Sequence, residues 1–528
     1  MNESEKQFFF TRVALSTCGR AKNQIPISNY QRASSKLYKL IFAIVATIWL
    51  LSREFMLLAQ FALPPLPPIN ISSTTTNWDS TLKHGACVAF NGTQYLVVWR
   101  DERQPASGDV FGARVTTSGV VLDPNGISIS SIPNNQNDPA PRVAACGDTF
   151  LVVWNYQSPS SSKGSSVYGC RVGADGRVMD TSGILIASGS SAYANVAANE
   201  SKWLVDWRST LLDSAGDIFG AFVSTNGEVA SPGSFGICTA ASSQSVSSIA
   251  SDGTNFFVAW HDYRNGATRN WDIYGTLVSS SGTIVSPGGM LIAGAKNEQW
   301  FPNVACNGSE YLVTWEDGRN EVTFLTNSDI YGAWIDLSGA LLNPNPIPIC
   351  TAPGNQLDPA AAFDGTNGFV VWWDSRNGTN NANIYTNNYD IYGVSIIAGG
   401  QVASASGWPI NCDPSNQDHP HIAFGKDHQF LVVHSANNIT NSTYKIMGNF
   451  IYSQEPDLRI TSSQFGNGQG TLGWNSVPSF TYQILSASQL TGPWNPVLSN
   501  VVATSTLSSV TFAASGAAQQ FFWLSRVK

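Results

Sequence analysis

The stretch YLVTWEDGRN at Tyr311–Asn320, which is followed by DIYG at Asp329–Gly332, carries the pattern that decides the fold. An apolar run ends in Trp, a polar loop contains D-x-R, and a second apolar run begins with DIYG. Apolar runs of this length between turn residues predict two β-strands joined by a loop. The phrase returns as YLVVWRDER at 95–103 and FFVAWHDYR at 256–264. The chain is therefore predicted to repeat one β unit.

The last aromatic residue of each apolar run measures the repeat. It falls at Trp99, Trp154, Trp207, Trp260, Trp315 and Trp373, with His434 in the same place in FLVVH, giving spacings of 55, 53, 53, 55, 58 and 61 residues. Each unit contains four short apolar runs separated by turn residues, which predicts a four-stranded β-meander. Seven such sheets arranged radially form a seven-bladed β-propeller.

The two ends of the repeat region predict how the ring closes. The seventh unit lacks a final strand before Glu455, whereas PPINISSTTTNW at 67–78 resembles the fourth strand of the other units. We therefore expect the N-terminal strand to complete the last blade. After residue 455, TLGWNSVPSFTYQILSASQL at 471–490 alternates like strands of a small β-sandwich. The predicted fold is all-β, with a leader at 1–66, a propeller at 67–455 and a sandwich at 456–528.

Two resemblances follow from these motifs. The phrase W-x-D-x-R…D-I-Y-G resembles repeats of large secreted bacterial proteins predicted to be β-propellers, mostly of unassigned function, and it covers residues 67–455. Units two, three and seven depart from it, because Asn155, Arg208 and Ser435 follow the aromatic residue without a D-x-R. The C-terminal segment resembles a fibronectin-type-III-like or immunoglobulin-like module, which implies that Trp474 and Tyr482 are core aromatics.

Charge and the N-terminal segment predict location and exclude one class of partner. A net charge of −8 and a pI near 5.3 exclude nucleic acid, whose phosphates require a basic face. A Lys/Arg-rich segment precedes LIFAIVATIWLL at Leu40–Leu51, which is short for a membrane span and suits a signal peptide or signal anchor. We expect cleavage near Ala59 and a monomer that is secreted or held at the cell surface, with membrane contact only through this segment if it is uncleaved.

The polar loops define a candidate binding face. Chain direction in a propeller places the D-x-R loops on the same face as the N-Q-x-D-P connections between units, and these loops vary most in length. The structural interpretation is that each Asp accepts backbone N–H groups while each Arg pairs with the Asp of D-I-Y-G. It is favoured because a motif repeated around a ring cannot converge on one centre. The alternative is binding of sugar hydroxyls or a carboxylate. The candidate residues are Asp101, Arg103, Asp262, Arg264, Trp271, Trp300, Asp317, Arg319, Asp374, Arg376 and Tyr385.

Histidines mark a second candidate region at the mouth of the central channel. Asp418, His419 and His421 enter the innermost strand of the seventh unit, and His84 enters that of the first. These units are neighbours in a closed ring, so the side chains can approach one another. His and Asp are metal ligands, but a polar channel lining is the favoured interpretation. Seven cysteines after the leader form no C-x-x-C pair. We expect neither a metal nor a cofactor.

No catalytic signature assigns an activity. G-x-S-x-G, H-E-x-x-H and the P-loop are all absent from the sequence. The sequence therefore favours a non-catalytic extracellular binding or adhesion protein, whose variable-loop face contacts a glycan or an extracellular protein. A secreted polysaccharide hydrolase or lyase is the alternative, and a structural envelope component is the third hypothesis. A catalytic centre would have to contain residues unique to one or two units.

Overall fold

The computed structural model describes part of the chain, and that part forms two compact units. The described residues are 67–72, 83–104, 107–130, 141–156, 165–189, 191–212, 214–231, 233–321, 327–378, 388–397, 400–438, 443–453, 460–466, 469–477, 480–488, 493, 495–503, 507–513 and 521–527. One unit lies within 62–455 and the other includes 456–528. The described residues are all-β, as predicted, and no helix among them has the length and hydropathy needed to cross a membrane. The predicted leader lies outside them.

The described residues of the first unit form seven antiparallel sheets, numbered here in chain order. Sheet 1 contains β2 (Lys83–Phe90), β3 (Gln94–Gln104), β4 (Ser107–Thr116) and β5 (Ile127–Ser128). Sheet 2 contains β6 (Arg142–Cys146), β7 (Thr149–Tyr156), β8 (Ser166–Val172) and β9 (Ile184–Ala187). Sheet 3 contains β10 (Ser191–Ala198), β11 (Lys202–Ser209), β12 (Asp217–Ser224) and β13 (Phe235–Cys238). Sheet 4 contains β14 (Gln244–Ser251), β15 (Phe256–Asp262), β16 (Asp272–Val278) and β17 (Met290–Ala293).

The remaining sheets follow the same order. Sheet 5 contains β18 (Gln299–Cys306), β19 (Glu310–Asp317), β20 (Asp329–Asp336) and β21 (Ile347–Cys350). Sheet 6 contains β22 (Gln356–Phe363), β23 (Gly368–Asp374) and β24 (Asp390–Ile397), with β25 (Gln401–Val402) and β26 (Trp408–Asn411) both paired to β24. Sheet 7 contains β27 (Asn416–Phe424), β28 (Gln429–Asn438), β29 (Thr443–Tyr452) and the N-terminal β1 (Ile69–Asn70).

The first strands of the sheets contact one another in a closed cycle. β2 contacts β6, each later first strand contacts the next, and β27 contacts β2 again. The N-terminal β1 supplies the outer strand of sheet 7, with Ile69 opposite Gly448 and Asn70 opposite Met447. A cycle of antiparallel sheets around a central axis is a β-propeller.

Packing between sheets explains why the second strand of each sheet is apolar throughout. In β19, Tyr311, Leu312 and Val313 are fully buried, because successive side chains point to opposite faces and both faces are covered by neighbouring sheets. Leu312 packs toward sheet 6, whereas Val313 packs toward sheet 4. The Asn-Gly turn that precedes this strand needs Gly308, whose φ is 90°.

The structure corrects one alignment in the repeat. Trp372, not Trp373, occupies the position of Trp99, Trp260 and Trp315, because its indole N–H donates to the Asp two residues later, as theirs do. Two adjacent Trp residues made the register ambiguous in the sequence. Trp373 instead follows the repeated Trp, at the position that Glu316 occupies in sheet 5.

The described part of the second unit forms two three-stranded sheets. One contains β30 (Ile460–Gly466), β31 (Gln469–Asn475) and β34 (Leu507–Ala513), and the other contains β32 (Thr481–Ala487), β33 (Asn495–Val502) and β35 (Phe521–Val527). Trp474 and Tyr482 are fully buried in its core, with ring centroids 5.6 Å apart.

Candidate functional site

Each of the four D-x-R motifs binds the Trp that precedes it. In sheet 5 the buried Asp317 carboxylate accepts the Trp315 indole N–H at 2.8 Å and the Arg319 backbone N–H at 3.0 Å. It also accepts the guanidinium Nε–H at 2.7 Å, with a second guanidinium bond at 2.6 Å. Asp101–Arg103, Asp262–Arg264 and Asp374–Arg376 form equivalent pairs.

The expectation that each Arg pairs with the Asp of D-I-Y-G is wrong. The short turn folds Arg319 back onto Asp317, while Asn320 donates to Asp329 at 2.6 Å. The guanidinium lies 3.9 Å from the centroid of the Tyr331 ring, a cation–π contact. Asn265 and Asn377 bind Asp272 and Asp390 in the same way, and in sheet 4 a second arginine, Arg269, also reaches the D-I-Y-G Asp.

These contacts connect the second and third strands within one sheet. Two of the arginines also reach the preceding sheet, since Arg264 lies 3.5 Å from Cys238 Sγ and Arg376 lies 3.5 Å from Cys350 Sγ. The Gly of D-I-Y-G also has a structural role, since a Cβ on Gly393 would lie 2.7 Å from Ile410 of the fourth strand. The Trp, Asp, Arg, Tyr and Gly positions of the phrase therefore have a structural explanation. A binding role for the eight Asp and Arg residues stays a prediction.

The mouth of the central channel is built by a β-bulge near the start of the first strand in sheets 1 and 3 to 7. The register shifts there, and one residue of the bulge adopts a positive φ. Such values are uncommon outside Gly, Asn, Asp and His. The bulge residues of sheets 1 and 3 to 7 are Gly85, Tyr193, Val246, Phe301, Asp358 and His419.

The residue after the repeated Trp supports the bulge of the next sheet. Glu316 Oε1 accepts the Asp358 backbone N–H at 2.6 Å. Asn155 accepts the Ala194 N–H at 3.0 Å, and Ser435 accepts the Gly85 N–H at 3.2 Å. These bonds occur between neighbouring sheets, and they hold a strained backbone in place.

The bulge side chains line a cavity of about 440 Å³ that Glu316 and Trp373 also line. This volume lies in the range of small-molecule sites. The side chain of His419 is 52 % exposed within the cavity wall, and its Nδ1 lies 3.1 Å from Asp418 Oδ1. Its ring stacks on Trp373 with centroids 5.1 Å apart. The cavity thus combines an aromatic face with carboxyl groups and an imidazole.

Two titratable groups that line the mouth, Glu316 and His419, have shifted pKa values. Burial, reinforced by the negative charge of Asp358, raises the pKa of Glu316 to about 8. The His419 pKa is raised to about 9: its removal from bulk water opposes this, but the hydrogen bond and charge of Asp418 and the charge of Asp358 outweigh that effect. At neutral pH Glu316 is therefore protonated and His419 is a cation.

His421 lies deeper and does not join the Asp418–His419 pair. Its Nε2 lies 3.5 Å from Cys87 Sγ. Burial and the positive charge of Arg142 lower the His421 pKa to about 3, and burial raises the pKa of the Cys87 thiol. The pair is therefore neutral and lacks the thiolate that a nucleophilic cysteine needs. The described residues contain no cluster of three metal-ligating side chains, and the side chain of His84 lies outside them.

Aromatic side chains extend from the loops of sheets 4 and 5 to the channel mouth. Trp271 lies 5.0 Å from Tyr263 and 4.6 Å from His261, measured between ring centroids. His261 lies 6.1 Å from Phe301, which lies 6.1 Å from Trp300. We call these five rings the aromatic row. It includes two of the three aromatic candidates from the sequence, and Tyr385 lies outside the described residues.

Sequence reasoning missed three residues that line the mouth: Glu316, Asp358 and Trp373. Trp373 was assigned to the wrong repeat position. Glu316 and Asp358 stood inside the repeated phrases W-x-D-x-R and N-Q-x-D-P, and neither residue was named as a candidate. The available signal lies at the position directly after the repeated Trp. Unit five has Glu316 there, and none of the other six units has a Glu at this position. This is the break in symmetry expected of a functional centre.

No family model matches the chain, and no curated protein matches it either. Solved structures with a similar arrangement include a lectin from Burkholderia pseudomallei, with 14% identity and a TM-score of 0.46 over 71% of this chain and 98% of that one. An α-L-arabinanase from Penicillium chrysogenum matches with 8% identity and a TM-score of 0.42 over 74% and 99%. The propeller domain of a protease from Pyrococcus furiosus matches with 10% identity and a TM-score of 0.39 over 70% and 99%. These values are too low to transfer a function or a site.

Proposed function

We propose that residues 67–455 form a seven-bladed β-propeller that binds a glycan at its channel mouth, and that residues 456–528 form a small fibronectin-III/Ig-like sandwich. The observation that carries the binding proposal is the aromatic row leading to a cavity lined by carboxyl groups. Sugar rings pack their C–H faces on aromatic side chains while carboxylates accept hydrogen bonds from their hydroxyl groups. The Asp and Arg side chains of the D-x-R pairs already have hydrogen-bond partners within the protein, so the mouth is the better site.

Truncating the aromatic row should weaken glycan binding. We expect Trp271→Ala and Phe301→Ala each to raise the Kd about tenfold for any glycan that the wild-type protein binds on an array, because each removes a stacking face worth about 1.4 kcal/mol. Isothermal titration measures the Kd. Leu342→Ala is the control, since this side chain is 47 % exposed in the turn between the third and fourth strands of sheet 5. Unchanged affinity in both aromatic variants, or no binding to any glycan, contradicts the proposal.

We also propose that the protein is exported. The support is the apolar segment Leu40–Leu51 after a Lys/Arg-rich flank. Fractionation of the native cell should recover the protein outside the cytoplasm, and N-terminal sequencing should find a mature end near residue 60. Intact protein in the cytoplasmic fraction contradicts this proposal.

A further inference from the structure

The ionisable groups of the channel mouth are distributed unevenly around the ring. Glu316, Asp358 and Asp418 belong to sheets 5, 6 and 7 and Arg142 to sheet 2, whereas the bulge residues of sheets 1, 3 and 4 are Gly, Tyr and Val. The D-x-R motifs, by contrast, recur in four sheets. A binding surface does not require this asymmetry, but acid–base chemistry does, because it needs groups that differ in their proton affinity.

Glu316 has the environment of a proton donor. Its side chain is only 6 % exposed yet lines the cavity, and the Asp358 backbone N–H fixes one of its oxygens. Burial beside another carboxylate keeps the proton on this group at neutral pH, since its pKa is about 8. A neutral carboxylic acid held against a cavity can protonate a leaving oxygen.

Asp358 has the environment of the complementary base. The bulge places it on the cavity wall, half-buried, and its charge acts on both Glu316 and the imidazolium of His419. Trp373 supplies the aromatic face of the cavity. Its side chain is 9 % exposed, lines the cavity and stacks on the His419 ring.

We propose that the channel mouth hydrolyses a neutral polysaccharide, with Glu316 as general acid and Asp358 as general base. This rests on the proposed glycan binding and adds a reaction to it. Glu316 gives its proton to the glycosidic oxygen as the bond from that oxygen to the anomeric carbon breaks. Asp358 takes a proton from the water whose oxygen bonds to the same carbon. One proton then returns to Glu316 and one leaves Asp358 through solvent, so one water is consumed for each bond cleaved.

The substrate is expected to be uncharged. Asp358 and Asp418 would repel a uronic-acid chain. The positive groups near them already have partners, since His419 Nδ1 lies 3.1 Å from Asp418 Oδ1 and the Arg142 Nε–H donates to Asn195 at 3.2 Å. His419 is a positioning residue, because stacking on Trp373 fixes its imidazole ring beside Asp358.

The test measures binding and cleavage on the same full-length protein. Neutral polysaccharides that bind on the array are incubated with wild type, Glu316→Gln, Asp358→Asn and the control Glu228→Gln, whose side chain is exposed in a turn of sheet 3. We expect new reducing ends from wild type and control, and a loss of about 10²–10⁴-fold in both mouth variants. In Glu316→Gln the amide oxygen can still accept the Asp358 N–H, so this variant is expected to fold. Circular dichroism checks that each variant is folded.

Two further measurements separate an acid from a merely structural residue. Wild-type activity should fall as pH rises above about 8, where Glu316 loses its proton, and Glu316→Gln should lose this limb. On 4-nitrophenyl glycosides, whose leaving group needs little protonation, Glu316→Gln should recover most activity while Asp358→Asn should not.

Binding without reducing ends overturns the hydrolase proposal and leaves glycan binding intact. No binding to any glycan overturns both. Unsaturated products detected by ultraviolet absorbance, or equal activity in Glu316→Gln and wild type, also contradict the assigned reaction.

Discussion

Deleting residues 60–76 should unfold most of the propeller, whereas deleting residues 457–528 should leave its melting temperature within a few degrees. The first deletion removes Ile69 and the fully buried Ile71, each worth about 1.5–3 kcal/mol of burial. It also removes the bond from Ile71 N–H to Ile446 O at 2.9 Å and that from Ile446 N–H to the Ser72 hydroxyl at 3.0 Å. The total approaches the 5–15 kcal/mol that stabilises a typical domain.

The second deletion removes a unit with its own core, so the propeller should not depend on it. Thermal unfolding followed by tryptophan fluorescence compares the two truncations with wild type. Ile71→Ala gives a graded version and should cost about 2–4 kcal/mol, while Val120→Ala, a 54 % exposed residue, should change stability little. Equal melting temperatures for the two truncations would remove the role of the N-terminal strand in closing the ring.

The strands could be predicted well from the sequence because the same pattern of apolar runs and turns occurs in seven units. Apolar alternation and Asn-Gly turns decide local structure, and the missing fourth strand of the last unit pointed to residues 67–78. The channel mouth was less predictable. Phe301, Asp358 and His419 each precede Pro, which normally favours an extended backbone. Here the φ values are 46°, 50° and 47°, and acceptors such as Glu316 on the preceding sheet support this conformation. That support comes from residues distant in sequence.

The pairing of Arg with the nearer Asp was missed for a similar reason. Asp317 and Asp329 face each other across the paired strands, so either carboxylate could be the partner. The choice depends on the stacking of the guanidinium on Tyr331 and on Asn320 occupying the second carboxylate. Neither interaction can be inferred from the spacing of residues in the sequence.

Replacing Asp317 with Ala should cost about 3–5 kcal/mol of unfolding free energy. The carboxylate is fully buried and accepts bonds from Trp315, from the Arg319 backbone and from its guanidinium, so its loss leaves a half-buried cation and a buried indole N–H without acceptors. Sheet 2 shows this consequence naturally. Tyr156 stands where the Asp would be, and the Trp154 indole N–H has no partner among the described residues.

A double-mutant cycle decides whether the motif is scaffold or site. Urea unfolding of Asp317→Ala, Arg319→Ala and the double variant should show coupling of about 1–3 kcal/mol, and the exposed Glu200→Gln should change stability by less than about 0.5 kcal/mol. Glycan affinity, measured well below the melting temperature, should stay within about twofold of wild type in every variant that folds, because the pair is satisfied inside sheet 5. If Asp317→Ala keeps its stability and loses glycan binding, the repeated phrase is the binding site. If stability falls and binding survives, the phrase holds each sheet together, and the residues that differ between sheets carry the function.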